Sequence, residues 1–197
     1  MDLFLTLLAT VFRSLFTARN ASVWDGTRYK FKIRGSDTDG DGALLPSRIP
    51  SYIDISLVKF FVATRMSAVV RRRGWVPIVL SSYQVRAQPR ITRGRVQIHT
   101  RVVGWQDQYV EIWHTWEDLE GRELLRSVYL TRVTHRGREK VTGADMLQEL
   151  GEKVVEKPLS AIAARQLNDY LEIRETNRKT AQSDIGYSNY LKFTEQP

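Results

Sequence analysis

SDTDGDGALLPSRIPSYIDISLVKFFVATRMSAVVRRRG (residues 36–74) reads as an acidic loop feeding one long helix that is apolar on almost every face. Ile49, Ile53, Leu57 and Phe60 form one stripe at helical spacing, and Ile55, Val58, Val62, Met66 and Val69 form a second. Two stripes need cover on two sides, so this helix belongs in a core. Its ends are marked as well. Pro50 suits a first helical turn, Arg71, Arg72 and Arg73 complement the negative C-terminal end of the helix dipole, and Gly74 supplies a left-handed stop.

Strand signals surround it. RYKFKIRG (28–35) alternates basic residues with Tyr29, Phe31 and Ile33, the pattern of a half-buried strand. After the helix, residues 76–90 are rich in strand formers, and residues 94–105 alternate through Val96, Ile98, Thr100 and Val102. Two further runs, 108–117 and 123–134, are joined by the tight DLEGR turn. The order is one strand, one long helix, then four strands read as an antiparallel meander. One face of such a sheet needs a cover, and the helix is the hydrophobic element available to fill it. The expected class is therefore α+β, in the hot-dog arrangement: a curved antiparallel sheet wrapped around one long central helix, with N- and C-terminal helical extensions. Downstream, Thr142 and Asp145 resemble a capping box, Ser160 after Pro158 opens a second helix through Ile173, and residues 175–197 read as a loop or docking arm.

At 197 residues the chain can bury a real core without staples. It has no cysteine, hence no thiol nucleophile, disulfide framework or Cys-based zinc site. His99, His114 and His135 are too scattered for a ligand cluster, so neither a metal nor another cofactor is expected. The DTDGDG run has the look of a calcium loop, but the twelfth position holds Arg48 where a glutamate is needed. The net charge of +8 and pI near 9.9 permit attraction to nucleic acid, anionic lipid or a phosphorylated ligand such as coenzyme A. Nucleic acid is the least favoured of these, because no zinc-finger, homeodomain or RNP signature is present.

The chain opens on an apolar run from Leu3 to Phe12, followed by Arg13 and Arg19. The run is too short to span a bilayer, and Asp2 stands where a secretory signal carries positive charge. Residues 1–20 are read as a segment that lies on a membrane, packs into a membrane complex or targets an organelle. The expected location is mitochondrial and membrane-associated, with the endoplasmic reticulum membrane as the alternative.

Residues 36–57 carry a resemblance. They are similar to the signature of the hot-dog acyl-CoA thioesterases of the 4-hydroxybenzoyl-CoA thioesterase family, D-x-D-x-x-G-H-x-N-N followed by a tyrosine and a helix acid. Asp37, Asp39 and Gly42 fall on the two aspartates and the glycine, and Asp54 falls on the helix acid. SDTD (36–39), the 47–54 region and TRVVGWQD (100–107) further resemble the branch of thioesterase superfamily member six, membrane-associated proteins with an apolar N-terminal segment. The resemblance covers roughly residues 28–150. It implies three parts: an apolar docking segment (1–24), a hot-dog thioesterase-like domain (25–140) and C-terminal helices with a tail (141–197).

The resemblance also implies roles. Asp39 would be the catalytic acid that attacks the thioester or activates water, with Asp37, Gly42 and Asp54 lining the substrate. Backbone N–H groups at the start of the central helix would hold the carbonyl oxygen. Against this, Ala43 replaces the family histidine, Leu45 and Pro46 the asparagines, and Ile49 the tyrosine, while Pro46 and Pro50 each remove a donor. The aspartates and glycines of the loop equally suit a plain polar turn, and Asp54 is expected as a buried carboxylate with a structural or a site role. Trp105, Trp113 and Trp116 are read as sheet packing. Two functions stand side by side. One is hydrolysis of an acyl-CoA or acyl-carrier thioester. The other is a non-catalytic accessory subunit of a mitochondrial membrane or ribosome-associated complex. Both expect a homodimer or a hot-dog partner subunit, because an antiparallel sheet leaves exposed edges.

Overall fold

The structure, a computed structural model, describes residues 21–88, 90–135 and 140–194, with side chains as far as Thr180. The membrane-docking segment expected at residues 1–20 lies outside the described residues. The central apolar helix forms, but as two helices: α1, Ile49–Ala63, and α2, Met66–Arg73. The expectation of one unbroken helix is corrected at Thr64 and Arg65. Thr64 turns its hydroxyl back onto the Phe60 carbonyl at 2.8 Å, and Arg65 takes a left-handed φ of 61°. A threonine that bonds its own preceding turn competes with helix continuation. The break re-aims the chain so that Met66 and Val69 still reach the interior. Gly74 then stops α2 at φ 66°, as read from the sequence.

Five long strands follow the sequence signals: β1 (Thr27–Ile33), β2 (Trp75–Arg86), β3 (Gly94–Gln106), β4 (Tyr109–Glu117) and β5 (Glu123–His135). The short β6 (Lys140–Val141) pairs the end of β5. All pairings are antiparallel, in the order β1-β3-β4-β5-β2. The four-strand meander is thus corrected: β3, β4 and β5 are consecutive neighbours, but β2 lies beyond β5 at the far edge. The helices carry the chain across the sheet before β2 is laid down, so β2 and β3 occupy different regions of the sheet.

One face of the sheet receives α1. Ile33, Val96, Ile98, Val102, Ile112, Trp116 and Leu125 meet Ile49, Tyr52, Ile53 and Phe60 in a single cluster. The strict alternation in β1 and β3 supplies that face. The chain just before β1 joins in: Val23 is fully buried, and Ala21 N–H donates to Ala63 O at 3.0 Å. The capping box of Thr142 and Asp145 opens α3 (Gly143–Glu149), whose Met146 and Leu147 close the same core.

The last helix, α4 (Ala161–Thr194), is longer than the sequence suggested. Residues 175–194, read as a loop or arm, continue it. Its first turns pack Ala163 and Leu167 against Tyr109, Val128 and Leu130 on the opposite face of the sheet. From Leu171 to Thr180 every side chain is exposed.

Candidate functional site

Between β1 and α1 the chain makes a compact loop built on aspartates. Asp39 closes it: its Oδ1 accepts the N–H groups of Asp41 at 3.0 Å and Ala43 at 2.9 Å, and its own N–H donates to Ala43 O at 2.8 Å. Gly42 sits at the tip with φ 77°, a conformation that glycine adopts without cost. The far side of the loop is stitched to the chain entering β3, with Leu44 N–H on Ile91 O at 2.7 Å and Arg93 N–H on Gly42 O at 3.2 Å. Asp39 itself is exposed, and among the described residues nothing bonds its Oδ2.

Asp37 faces inward instead. It is buried, accepts the Tyr52 hydroxyl at 2.7 Å on Oδ2, and lies 3.8 Å from Arg48 Nε. Burial, followed by the bond to Asp37 and its negative charge, pushes the Tyr52 hydroxyl well above the usual tyrosine range. Asp37, Asp39 and Gly42 are thus brought together at the start of α1, with Asp37 anchoring the loop and Asp39 shaping it.

Asp54 is not part of that group. Expected as a buried carboxylate, it is exposed on α1, because the helix turns Ile53 and Ile55 inward and leaves Asp54 between them facing out. Partial desolvation raises its pKa. Its charge, after burial, contributes to pushing Tyr129 on β5 up to about 12.

The helix start offers few hydrogen-bond donors. Arg48 N–H goes to Leu45 O, Ile49 N–H goes to Pro46 O in the 3₁₀ turn Pro46–Arg48, and Pro50 has no N–H. A developing oxyanion needs such donors free and aimed at it. Two surface cavities, of about 360 and 290 Å³, are lined by other parts of the chain: Arg73, Trp75, His135 and Asp145 in one, Ser22, Thr64, Arg65 and Glu152 in the other.

A polar chain that the sequence reading missed crosses the core. Ser56 on α1 and Thr100 on β3 bring their hydroxyls to 2.7 Å, and Thr100 Oγ1 lies 2.9 Å from His114 Nδ1 on β4. All three are fully buried. Burial lowers the His114 pKa to about 3, so the imidazole is neutral. Its Nε2 and the hydroxyl of the fully buried Ser127 have no partner among the described residues. The signal was available. Thr100 and His114 fall on inward positions of their strands, and Ser56 lies one turn from both Ile53 and Phe60. Buried throughout, the chain ties α1 to β3 and β4.

Solved structures share this architecture. A probable thioesterase of Escherichia coli, YbaW, superposes with a TM-score of 0.56 at 9% identity over 62% of this chain and 95% of its own. A 4-hydroxybenzoyl-CoA thioesterase bound to 4-hydroxybenzoyl-CoA gives 0.53 at 13%, over 64% of this chain and 99% of its own. The chain has the hot-dog fold. The 12:0-ACP thioesterase of Umbellularia californica gives 0.57 at 14%, over 72% of this chain and 58% of its own. No protein-family model matches the sequence, and no curated protein does. At these identities the likeness is one of fold, and hot-dog function has to be argued from the residues at the site.

Proposed function

We propose that this hot-dog protein is a thioesterase-like scaffold, an accessory subunit rather than an efficient hydrolase. One observation carries the reading: at the start of α1 the donors of Arg48 and Ile49 are spent in turns and Pro50 has none. Loss of a single oxyanion donor costs about a hundredfold to a thousandfold in rate. Asp39 compounds this by spending Oδ1 on its own loop. The scaffold reading places the protein at a mitochondrial membrane, with the endoplasmic reticulum membrane as the alternative, and gives residues 1–20 the docking role. No described helix is long and apolar enough to cross a membrane.

A second reading, hydrolysis of an acyl-CoA or acyl-carrier thioester, is supported by the exposed Asp39 with Oδ2 open to solvent. Turnover of a panel of acyl-CoA esters by the wild type and Asp39→Asn separates the two. Equal, near-background rates are expected. Asparagine keeps a carbonyl oxygen for the Asp41 and Ala43 N–H groups, so the variant should fold as the wild type does. Robust wild-type turnover abolished by the substitution would establish the enzyme instead.

A further inference from the structure

The outer face of the sheet, away from α1, divides in two. Over Tyr109, Val128 and Leu130 it is covered by α4. Over β1 and the start of β3 no described residue covers it, and there it presents Arg28, Lys30, Lys32 and Arg95, all exposed. The strand register sets Lys32 directly opposite Arg95. Like charges in that position destabilise an antiparallel pair. Acids nearby do not relieve it, because Glu117 lies between Arg28, at 3.9 Å, and Gln97, at 2.9 Å. Among the described residues Lys30, Lys32 and Arg95 have no ion pair. Lysines on an edge strand guard against unwanted pairing. That accounts for β1 but not for Arg95, which stands on the interior strand β3.

We infer that this bare half-face is a docking surface for anionic lipid headgroups. Alternate residues on a strand stand about 6.6 Å apart and neighbouring strands about 4.8 Å, so the four cations form a shallow two-dimensional lattice suited to a plane of headgroups. Single-stranded nucleic acid would call for exposed rings on which bases stack. The rings of Tyr29 and Phe31 turn to the opposite face, where they stack at 5.7 Å, and Trp113 lies beneath the Arg126 guanidinium at 4.2 Å. The sequence points the same way. The chain reaches β1 from the apolar run Leu3–Phe12 with Arg13 and Arg19. Burial of an apolar segment and electrostatic attraction to anionic lipid add in membrane binding. The inference rests on the reading that residues 1–20 meet a membrane, and gives the folded domain the electrostatic part.

The test uses the full-length protein and vesicles of phosphatidylcholine with and without phosphatidylserine. The variant Lys30→Gln/Lys32→Gln/Arg95→Gln is compared with Arg165→Gln/Arg174→Gln/Arg178→Gln, which removes the same charge from exposed positions of α4. Thermal unfolding confirms that both fold. Three cations at a phosphatidylserine surface are worth about a hundredfold in affinity. The sheet variant should lose that factor on anionic vesicles and match the wild type on neutral ones, while the α4 variant matches the wild type on both. Wild-type binding to neutral vesicles without a gain from phosphatidylserine would overturn the lipid surface alone. No wild-type binding to either would overturn the membrane role of residues 1–20 with it. Displacement by millimolar inorganic phosphate or coenzyme A would make the face a small-phosphate site, contrary to the inference. A sheet variant that loses an RNA oligonucleotide and keeps its grip on anionic vesicles would likewise overturn the inference, in favour of nucleic acid.

Discussion

The Tyr52 hydroxyl donates to Asp37 Oδ2 at 2.7 Å, which ties the second turn of α1 to the loop that precedes it. The residue on the first aspartate of the family signature is therefore a buried anchor, and its partner lies one turn beyond Ile49, where the family tyrosine is missing. Tyr52→Phe removes the shorter of the two hydrogen bonds to the buried Asp37 Oδ2 and leaves it the Arg34 N–H at 3.4 Å, and that costs about 1–3 kcal/mol. Urea denaturation should show this loss with an unchanged denaturant slope. A Tyr52→Phe protein as stable as the wild type would mean that Arg48 and the Arg34 N–H suffice to hold Asp37.

Acid should weaken the fold through His114. Its pKa is near 6.5 in the unfolded chain and about 3 when buried beside the ring of Tyr129. The unfolded state therefore binds the proton more readily. Stability is complete above about pH 6.5 and falls as the pH drops toward the folded value, by about 1.4 kcal/mol per unit. His99, whose pKa burial also lowers, adds in the same direction. Melting curves between pH 7 and pH 5 should be steeper for the wild type than for His114→Gln, which removes the buried titration and leaves His99. Parallel curves would show that His114 does not carry the dependence.

How legible all this was depends on the length scale of the physics. Strand alternation and the two apolar stripes specify which residues face α1, so the layer order could be read from the chain. The position of β2 could not, because its pairing with β5 rather than β3 depends on where the chain emerges after the Arg65 break, and nothing local to Thr64 and Arg65 announces it. Within the loop, turn chemistry identified Asp39 and Gly42 as neighbours. The same chemistry could not tell a carboxylate aimed at its own backbone from one aimed at a ligand. Asp54 is exposed rather than buried for a plain reason: a helix with two apolar stripes still keeps a narrow outward seam, and one carboxylate fits there.

The junction of α4 with the sheet offers a separate test. Glu111 is fully buried on β4 and accepts from Trp113 Nε1 at 2.6 Å, Ser160 Oγ at 2.6 Å and Ser160 N–H at 2.7 Å. A carboxylate there satisfies the start of the helix and meets the positive end of its dipole. Glu111→Ala leaves three donors without an acceptor, each costing about 1–3 kcal/mol if it stays buried. Releasing α4 avoids that cost. Limited proteolysis should then cut between Leu159 and Leu167 while the α1 side of the core remains resistant. Uniform digestion would show instead that α4 and the core unfold together.

The remaining edge of the sheet makes the last prediction. Among the described residues β2 pairs with β5 alone, and from Ser82 to Arg86 its side chains are exposed on both faces. Val76, Val79, Tyr83 and Val85 are 41%, 47%, 49% and 40% exposed along it. A long apolar edge left bare is a template for another strand. A second hot-dog domain, paired antiparallel edge to edge, would satisfy its free N–H and C=O groups and cover the same side chains. A twofold axis makes a second copy of this chain the simplest occupant. Sedimentation velocity should show a dimer at micromolar concentration. Tyr83→Lys/Val85→Lys places two charges at the seam of each protomer, four in the dimer, and should weaken it at least about tenfold, since like charges directly opposite repel. The two positions are exposed, so the variant monomer should melt close to the wild type. A wild-type chain that sediments as a monomer at all accessible concentrations would exclude the homodimer and leave β2 to a different subunit.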